Sequence, residues 1–165
     1  MADNLNTTHV KLLAFDLLSL SPNPTDPSSS SSSFCRKGKN LSRAEILGFV
    51  VTRDLKPGKF LRFTIDDGTG CIPCVLWLNQ LTSSYFSKRS PSSVRSIARL
   101  ASNFASQTQL GAVARVRGKI TRYRDLVQLT VSDVVLEPDP NAQVLHWLDC
   151  VRLAKKCYDK VFFIL

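Results

Sequence analysis

The sequence predicts a mainly β protein, and three observations lead to that prediction. Short runs rich in β-branched and aromatic residues, such as Phe60 to Ile65, alternate between two faces with the period of a half-buried strand. Turn-forming Gly, Asp and Pro residues separate these runs. Helical spacing of apolar residues appears in two long segments, one between the third and fourth predicted strands and one after the fifth.

Five segments have the pattern of strands. They are residues 45–52, 60–65, 71–78, 112–121 and 126–136. The turn after the second strand reads DDGTG from Asp66 to Gly70, and glycine accepts the positive φ that such turns require. In the fourth strand, small apolar residues alternate with basic ones, which predicts one buried and one charged face, with a bend at Gly118.

The two helical segments fix the order of the elements. Ser90 is a predicted N-cap, and Pro91 is the first residue of a helix that covers residues 91–106. A second helix covers residues 141–160. This order predicts a five-stranded OB-fold barrel with a helix between strands 3 and 4 and an appended C-terminal helix. The alternative is an SH3-like barrel, which does not usually place a long helix between strands 3 and 4.

The chain divides into four predicted segments. They are an N-terminal segment (1–20), a Pro/Ser-rich flexible linker (21–33), the barrel (34–137) and a C-terminal partner-binding helix (138–165). Residues 10–20 are expected to form a short helix or strand. Asp16 interrupts this apolar run, which is also too short to cross a bilayer, so we expect neither a signal peptide nor a membrane span.

Basic residues dominate the predicted barrel. The chain has 22 Lys and Arg against 13 Asp and Glu, for a net charge of +9 and a pI near 9.6. Between Arg36 and Arg124 there are 17 basic residues and four acids. Charge concentrated in one folded segment favours an acidic partner, most often nucleic acid, over a protein that is merely basic.

Aromatic and basic residues occur together where an OB-fold barrel binds oligonucleotides. That place is the face of strands 2 and 3, bordered by the loops that join strands 1–2 and 4–5. Bases stack on aromatic faces and phosphates pair with Lys and Arg, so we predict a site for single-stranded nucleic acid. Its predicted residues are Lys56, Lys59, Phe60, Arg62, Trp77, Arg117, Lys119, Arg122, Tyr123 and Arg124. For Phe60 and Trp77, packing in the core or an interface is the alternative.

The sequence offers little for catalysis or for a cofactor. Asp66 and Asp67 are adjacent, so their side chains point apart, and a turn is the simpler interpretation. Cys71 and Cys74 have CxxC spacing, but residues three apart in a strand point to opposite faces, and no second pair completes a zinc site. We expect a binding protein rather than an enzyme, with no metal and no cofactor.

The C-terminal helix carries an apolar stripe that a small barrel does not need. The stripe closes the bottom of the barrel or contacts a partner's helix, and we favour the partner. Its predicted partner-binding residues are Val144, Trp147, Leu148, Val151, Ala154 and Tyr158.

Residues 44–78, AEILGFVVTRDLKPGKFLRFTIDDGTGCIPCVLWL, resemble the OB-fold of the Stn subunit of the CST telomere complex. That family has a leading LG strand, a D-D-x-T-G turn and a following strand that ends in Cys and Trp. The matching residues here are Leu47-Gly48, Asp66 to Gly70 and Cys74 to Trp77, and residues 34–41 and 118–120 also fit. The middle subunit of replication protein A has a related barrel with a similar turn.

This resemblance implies a nuclear protein that works at telomeres. It implies a complex with the large CTC subunit and with the small TEN subunit, which contacts the C-terminal helix, and a role in chromosome end protection on single-stranded telomeric DNA. DNA polymerase alpha-primase is a further implied partner, although the chain ends at Leu165 and resembles the short plant form without winged-helix domains. The alternatives are a scaffold subunit with little direct DNA binding and an RNA-binding OB domain.

Overall fold

Five long strands close into a ring in the computed structural model, which describes residues 7–22 and 33–158. The strands are β5 Arg43–Lys56, β6 Phe60–Asp66, β7 Cys71–Trp77, β8 Val113–Tyr123 and β9 Leu126–Leu136. They follow the order β5, β6, β7, β9, β8 around the ring, and β8 pairs again with β5. The chain is mainly β, and all five predicted strands are present.

The ring closes because β5 pairs with two neighbours. Residues 43–49 of β5 pair with β8, and residues 49–56 pair with β6, with a register shift between Val50 and Thr52. A second shift lies between Arg117 and Gly118, at the predicted bend. A Cβ atom on Gly118 would lie 2.3 Å from the carbonyl oxygen of Thr130, so only glycine fits this close approach.

The core fills the inside of the ring with the faces that alternation predicts. In β6, Leu61, Phe63 and Ile65 are buried, while Phe60, Arg62 and Thr64 point the other way. The other strands contribute the same kind of inward row. The inward residues of β7, β8 and β9 are Ile72, Cys74, Leu76, Ala114, Val116, Ile120, Val127, Leu129, Val131 and Val134.

The N-terminal segment belongs to this core. It forms both a strand, β1 Val10–Lys11, which pairs in parallel with β5, and a short helix, α1 Ala14–Leu18. Its buried residues are Val10, Leu12, Ala14, Leu17 and Leu20. A small three-stranded sheet follows, made of β2 Ser21–Pro22, β3 Phe34–Arg36 and β4 Lys39–Leu41. The predicted linker begins in β2, and its residues 23–32 lie outside the described residues.

The DDGTG turn holds α1 in place. The buried carboxylate of Asp67 accepts a hydrogen bond of 2.7 Å from the Ala14 N–H, and its other oxygen accepts bonds from the Thr69 N–H and hydroxyl. The Thr69 hydroxyl oxygen in turn accepts a 3.1 Å bond from the Phe15 N–H. Asp67 therefore caps the first turn of α1 from a distant part of the chain, which gives the paired acids a structural role.

Helix α2, Pro91–Gln107, lies between β7 and β8 in the chain. The Ser90 hydroxyl accepts a bond from the Ser93 N–H, as expected of an N-cap before Pro91. Val94, Ala101 and Ala105 are buried against the ring. The side chain of Arg53 donates to the carbonyls of Ala105 and Thr108 and so satisfies acceptors at the C-terminal end of the helix.

Helix α3, Asn141–Leu153, continues into a π-helical turn, Ala154–Tyr158. It packs through Ala142, His146 and Cys150, a face of small and polar residues. The predicted apolar stripe therefore points away from the ring. None of the helices in residues 7–22 and 33–158 has the length and hydropathy of a membrane span.

Candidate nucleic-acid interface

Five of the predicted site residues meet on the outer face of the ring beside β6 and β7. The rings of Phe60 and Trp77 are edge to face, with centroids 5.8 Å apart. The guanidinium carbon of Arg62 lies 4.6 Å from the Phe60 centroid and 5.6 Å from the Tyr123 centroid. The guanidinium carbon of Arg124 lies 5.3 Å from the Tyr123 centroid. These five residues form a continuous row of rings and cations, which we call the aromatic–cation row.

Strand pairing explains one half of this row. Phe60 is directly opposite Trp77 in the β6–β7 register, and Arg62 follows two residues later on the same outward face. Trp77 is 43% exposed and Phe60 is half-buried, so neither ring is in the core. A half-covered Phe60 fits its contacts with Trp77 on one side and Arg62 on the other.

The hairpin between β8 and β9 supplies the other half. Tyr123 pairs with Leu126, and the two residues between them, Arg124 and Asp125, have φ values of 48° and 65°. Positive φ at both central positions is the geometry of a type I′ turn, which matches the twist of the flanking strands. The turn brings the Tyr123 ring to the guanidinium of Arg62.

Lys56 and Lys59 lie at the Phe60 end of the row. Lys56 is opposite Phe60 in the β5–β6 register, and its ammonium lies 3.5 Å from the exposed carboxylate of Asp54. Lys59 is in the turn before Phe60, and its carbonyl accepts a 2.9 Å bond from the Leu78 N–H. Both lysines can therefore meet a phosphate beside the rings.

Lys119 and Arg122 flank the row along β8. Lys119 is opposite Thr130 in the β8–β9 register and lines a groove that also contains Trp77. Arg122 lies beside the hairpin, with its guanidinium 3.8 Å from the exposed carboxylate of Asp125. An ion pair of this length between exposed groups is weak, so Arg122 is available to a phosphate.

Arg117, the last of the ten predicted site residues, contacts carboxylates rather than the rings of the row. Its guanidinium lies 2.6 Å from the buried carboxylate of Glu45 and 3.5 Å from the partly exposed carboxylate of Asp133. Arg115 contacts the same Glu45 at 2.9 Å. Burial raises the pKa of Glu45, but hydrogen bonds from the two arginines outweigh burial and hold that pKa below its usual value. Arg117 thus balances a buried charge between β5 and β8.

A shallow depression beside Arg62 was not predicted. It has a volume of about 240 Å³, and Asp54, Thr64, Pro73 and Gln128 are among the residues that line it. The strand period did predict an outward Thr64 and an outward Gln128, but polar side chains without charge carried no signal for binding. Such groups can donate and accept hydrogen bonds with base edges.

The predicted partner-binding residues of α3 lie mostly on its outer face. Val144, Leu148 and Val151 are 52%, 61% and 44% exposed. Trp147 is partly covered, because its ring lies next to Gly68 of the DDGTG turn. Ala154 is half-buried in the π-helical turn, and the side chain of Tyr158 lies outside the described residues.

The acids and cysteines that were weighed for catalysis or metal binding have other surroundings. Asp66 accepts a bond from the Gly68 N–H within the turn. Cys71 is exposed and Cys74 is buried, on opposite faces of β7. Burial raises the pKa of the Cys74 thiol, which keeps it protonated. Within residues 7–22 and 33–158, no group of three or more His, Cys, Asp and Glu side chains could hold a metal ion.

The chain is similar to known proteins along nearly its whole length. A family described as an OB-fold nucleic acid binding domain matches residues 44–137. The CST complex subunit STN1 of Arabidopsis thaliana is 49% identical over 158 residues, which cover 96% of each chain. The chain belongs to the STN1 family.

Solved structures agree with this membership at the level of the fold. The Stn1–Ten1 complex of S. pombe contains a chain with a TM-score of 0.67 and 20% identity, over 91% of this chain and 93% of that one. A replication protein A heterotrimer bound to single-stranded DNA contains a chain with a TM-score of 0.66 and 16% identity, over 90% and 96%. At these identities the likeness is one of fold alone, and the matched family model makes that fold an OB-fold.

Proposed function

We propose that this chain is a telomere-maintenance subunit that binds single-stranded DNA and protects chromosome ends within a nuclear CST complex. The observation that carries the DNA-binding part is the aromatic–cation row on the outer face of β6 and β7. The chain acts by binding, not as an enzyme. The similar fold in replication protein A was solved with single-stranded DNA, which supports this class of ligand.

The residues of the row divide into two roles. Bases stack on the exposed faces of Trp77 and Tyr123, and backbone phosphates pair with Arg62 and Arg124. Lys56, Lys59, Lys119 and Arg122 extend the positive surface to both sides. Arg117 has a smaller role, because a phosphate would have to compete with the carboxylates of Glu45 and Asp133 for it.

The salt dependence of DNA binding tests the phosphate role. We expect the Arg62→Ala, Arg124→Ala double variant to reduce the slope of log affinity against log salt by about 1.4, because each phosphate contact on a single strand contributes about 0.7. Fluorescence anisotropy with a G-rich oligonucleotide gives the slope. Arg99→Ala, which removes an exposed cation from α2, is the matched control and should leave it unchanged.

Two outcomes of that experiment would contradict the proposal. An unchanged slope in the double variant would show that these arginines do not contact phosphates. Tighter binding of RNA than of DNA of the same sequence, lost in the double variant, would make the chain an RNA-binding OB domain instead.

A scaffold role is a second candidate function, and the outer face of α3 favours it. Val144, Leu148 and Val151 expose apolar surface on one side of the helix while its other side packs on the ring. We propose that this face contacts the TEN subunit. The S. pombe relative of this fold was solved as a Stn1–Ten1 complex, which supports a small partner of this kind. The CTC subunit and DNA polymerase alpha-primase are further proposed partners.

Charge placed on this face tests the scaffold role. We expect Leu148→Asp with Val151→Asp to abolish co-purification with the TEN subunit, because burying two carboxylates in an apolar interface is costly. Circular dichroism should show an intact fold, since both side chains are exposed. Leu81→Asp, at another exposed leucine, is the control and should pair normally. Normal pairing of the double variant would mean that α3 only covers the ring.

A further inference from the structure

A groove of about 1020 Å³ lies beside α2, away from the outer face of α3. Apolar residues from three elements line it: Ile97, Leu100 and Phe104 of α2, Phe86 of the preceding loop and Trp77 of β7. Leu100 is 53% exposed within this lining. Exposed apolar surface gathered in one concave place marks an interaction site more often than scattered surface residues do.

Two neighbouring cations line the same groove. Arg43 of β5 and Lys119 of β8 are directly opposite each other in the strand register, and like charges in that position repel. Asp133 is the one acid among the described lining residues, and it lies 3.5 Å from Arg117. In the described part of the chain, neither Arg43 nor Lys119 forms an ion pair. The groove therefore combines an apolar wall with a positive pair that an anion would stabilise.

We propose that this groove binds a segment of a partner protein that presents apolar side chains next to carboxylates. A helix with apolar residues at i, i+3 and i+4 can fill such a groove with one face. Acids beside that face would neutralise Arg43 and Lys119. Charge complementarity of this kind fixes which partners bind and in which orientation.

The wall of the groove favours a protein segment over nucleic acid. Interfaces with nucleic acid are polar and strongly positive, and single strands need rings for stacking along a track of cations. Here aliphatic side chains such as Ile97, Leu100 and Val131 form much of the wall, and among the described lining residues the unpaired cations are Arg43 and Lys119. Trp77 belongs to both surfaces, but the aromatic–cation row alternates its rings with Arg62 and Arg124, whereas the two cations of the groove are neighbours in the strand register.

Selection from a random peptide library tests the proposal. The full chain serves as bait for displayed peptides of about 16 residues, long enough for four helical turns. We expect the enriched peptides to carry apolar residues at helical spacing together with Asp or Glu. These peptides are then synthesised and labelled for binding measurements. They should bind the Leu100→Asp variant at least about tenfold more weakly than the wild type, and the same holds for the double variant Arg43→Glu, Lys119→Glu. Leu110→Asp and Arg99→Glu lie outside the lining and should keep full affinity.

The other occupants of the groove give distinguishable results. Failure to enrich acidic apolar peptides, or equal binding to Leu100→Asp, would overturn the proposal. An oligonucleotide of thymidines that loses affinity for Leu100→Asp would assign the groove to nucleic acid, and a change from dimer to monomer on that substitution would assign it to a second copy of the chain. If Leu100→Asp lowers the melting temperature, the charge-reversed pair alone decides the outcome.

Discussion

At the scale of single residues, the buried carboxylate of Glu45 contacts side chains from both β8 and α3. Its side chain is 4% exposed, and its carboxylate contacts Arg115 and Arg117 on β8. The Nδ1 atom of His146 on α3 lies 4.0 Å from the same carboxylate. A buried charge is costly without partners, so Arg115 and Arg117 pair with Glu45 whether or not a ligand is bound. This pairing is the physical reason why Arg117 is a poor candidate for DNA.

The buried His146 predicts a loss of stability in mild acid. Burial, the largest cause, lowers its pKa, and nearby Lys11 and Arg115 lower it further, while Glu45 opposes them. The unfolded chain therefore takes up a proton on His146 near pH 6.5, while the folded chain takes it up only at lower pH, so stability falls as the pH drops below 6.5. We expect a loss of up to about 1.4 kcal/mol per pH unit in this window.

Urea unfolding at pH 7.5 and pH 5.5 measures this effect. His146→Phe removes the titrating group and should reduce the difference in unfolding free energy between the two pH values. His9→Gln is the control. The pKa of His9 is lowered as well, but its side chain is less buried than that of His146, so His9→Gln should reduce the difference less. Equal pH dependence of His146→Phe and the wild type would contradict the prediction.

At the scale of elements, the β8–β9 hairpin places a candidate site residue in an unfavourable backbone conformation. Arg124 occupies the first central position of the turn with φ of 48°, in a region that Arg rarely adopts and that Asn adopts more readily. With this backbone conformation, the guanidinium of Arg124 lies over the Tyr123 ring. Unfavourable backbone conformations of this kind persist where the surrounding structure or the function requires them.

Arg124→Asn should therefore change stability and binding in opposite directions. Asn at this position relieves strain, so the free energy of unfolding should rise by about 0.5 to 1 kcal/mol. The loss of one cation should weaken binding of a single-stranded oligonucleotide and reduce its salt slope by about 0.7. Urea unfolding and anisotropy titrations give the two quantities. Reduced stability would contradict the strain at this position. Unchanged affinity would show that the charge of Arg124 does not contribute to binding.

At the scale of the whole molecule, local patterns predicted the ring and missed the contacts between distant segments. The period of two in β6 and β9 and the N-cap before Pro91 are short-range signals, and the elements lie where they predict. The apolar stripe of α3 was predicted as well. Its inner face was not, because Ala142, His146 and Cys150 carry no hydrophobic pattern, and their burial depends on what they contact.

The candidate site divides in the same way. Register alone brings Phe60 to Trp77, so sequence could predict that pair. Arg117 and Lys119 alternate on one face of β8 and look equivalent in sequence, but Arg117 is opposite Glu45 and Lys119 is opposite Arg43. That difference depends on which residues of β5 pair with β8, and β5 pairs with two strands. Sequence periodicity contains no information about such a division.

The N-terminal segment packs into the core of the OB-fold, so its deletion should lower the stability of the whole molecule. We expect deletion of residues 1–20 to lower the free energy of unfolding by more than about 4 kcal/mol, since it removes several buried side chains worth roughly 1.5 to 3 kcal/mol each.

Asp67→Ala should loosen the same segment and lower the free energy of unfolding by about 2 kcal/mol, because the Ala14 N–H loses its buried acceptor. Asp66→Ala removes an exposed bond to Gly68 and is the control, with a smaller loss. Urea unfolding of the three variants measures the order, and a deletion as stable as the full chain would show that the barrel folds without this segment.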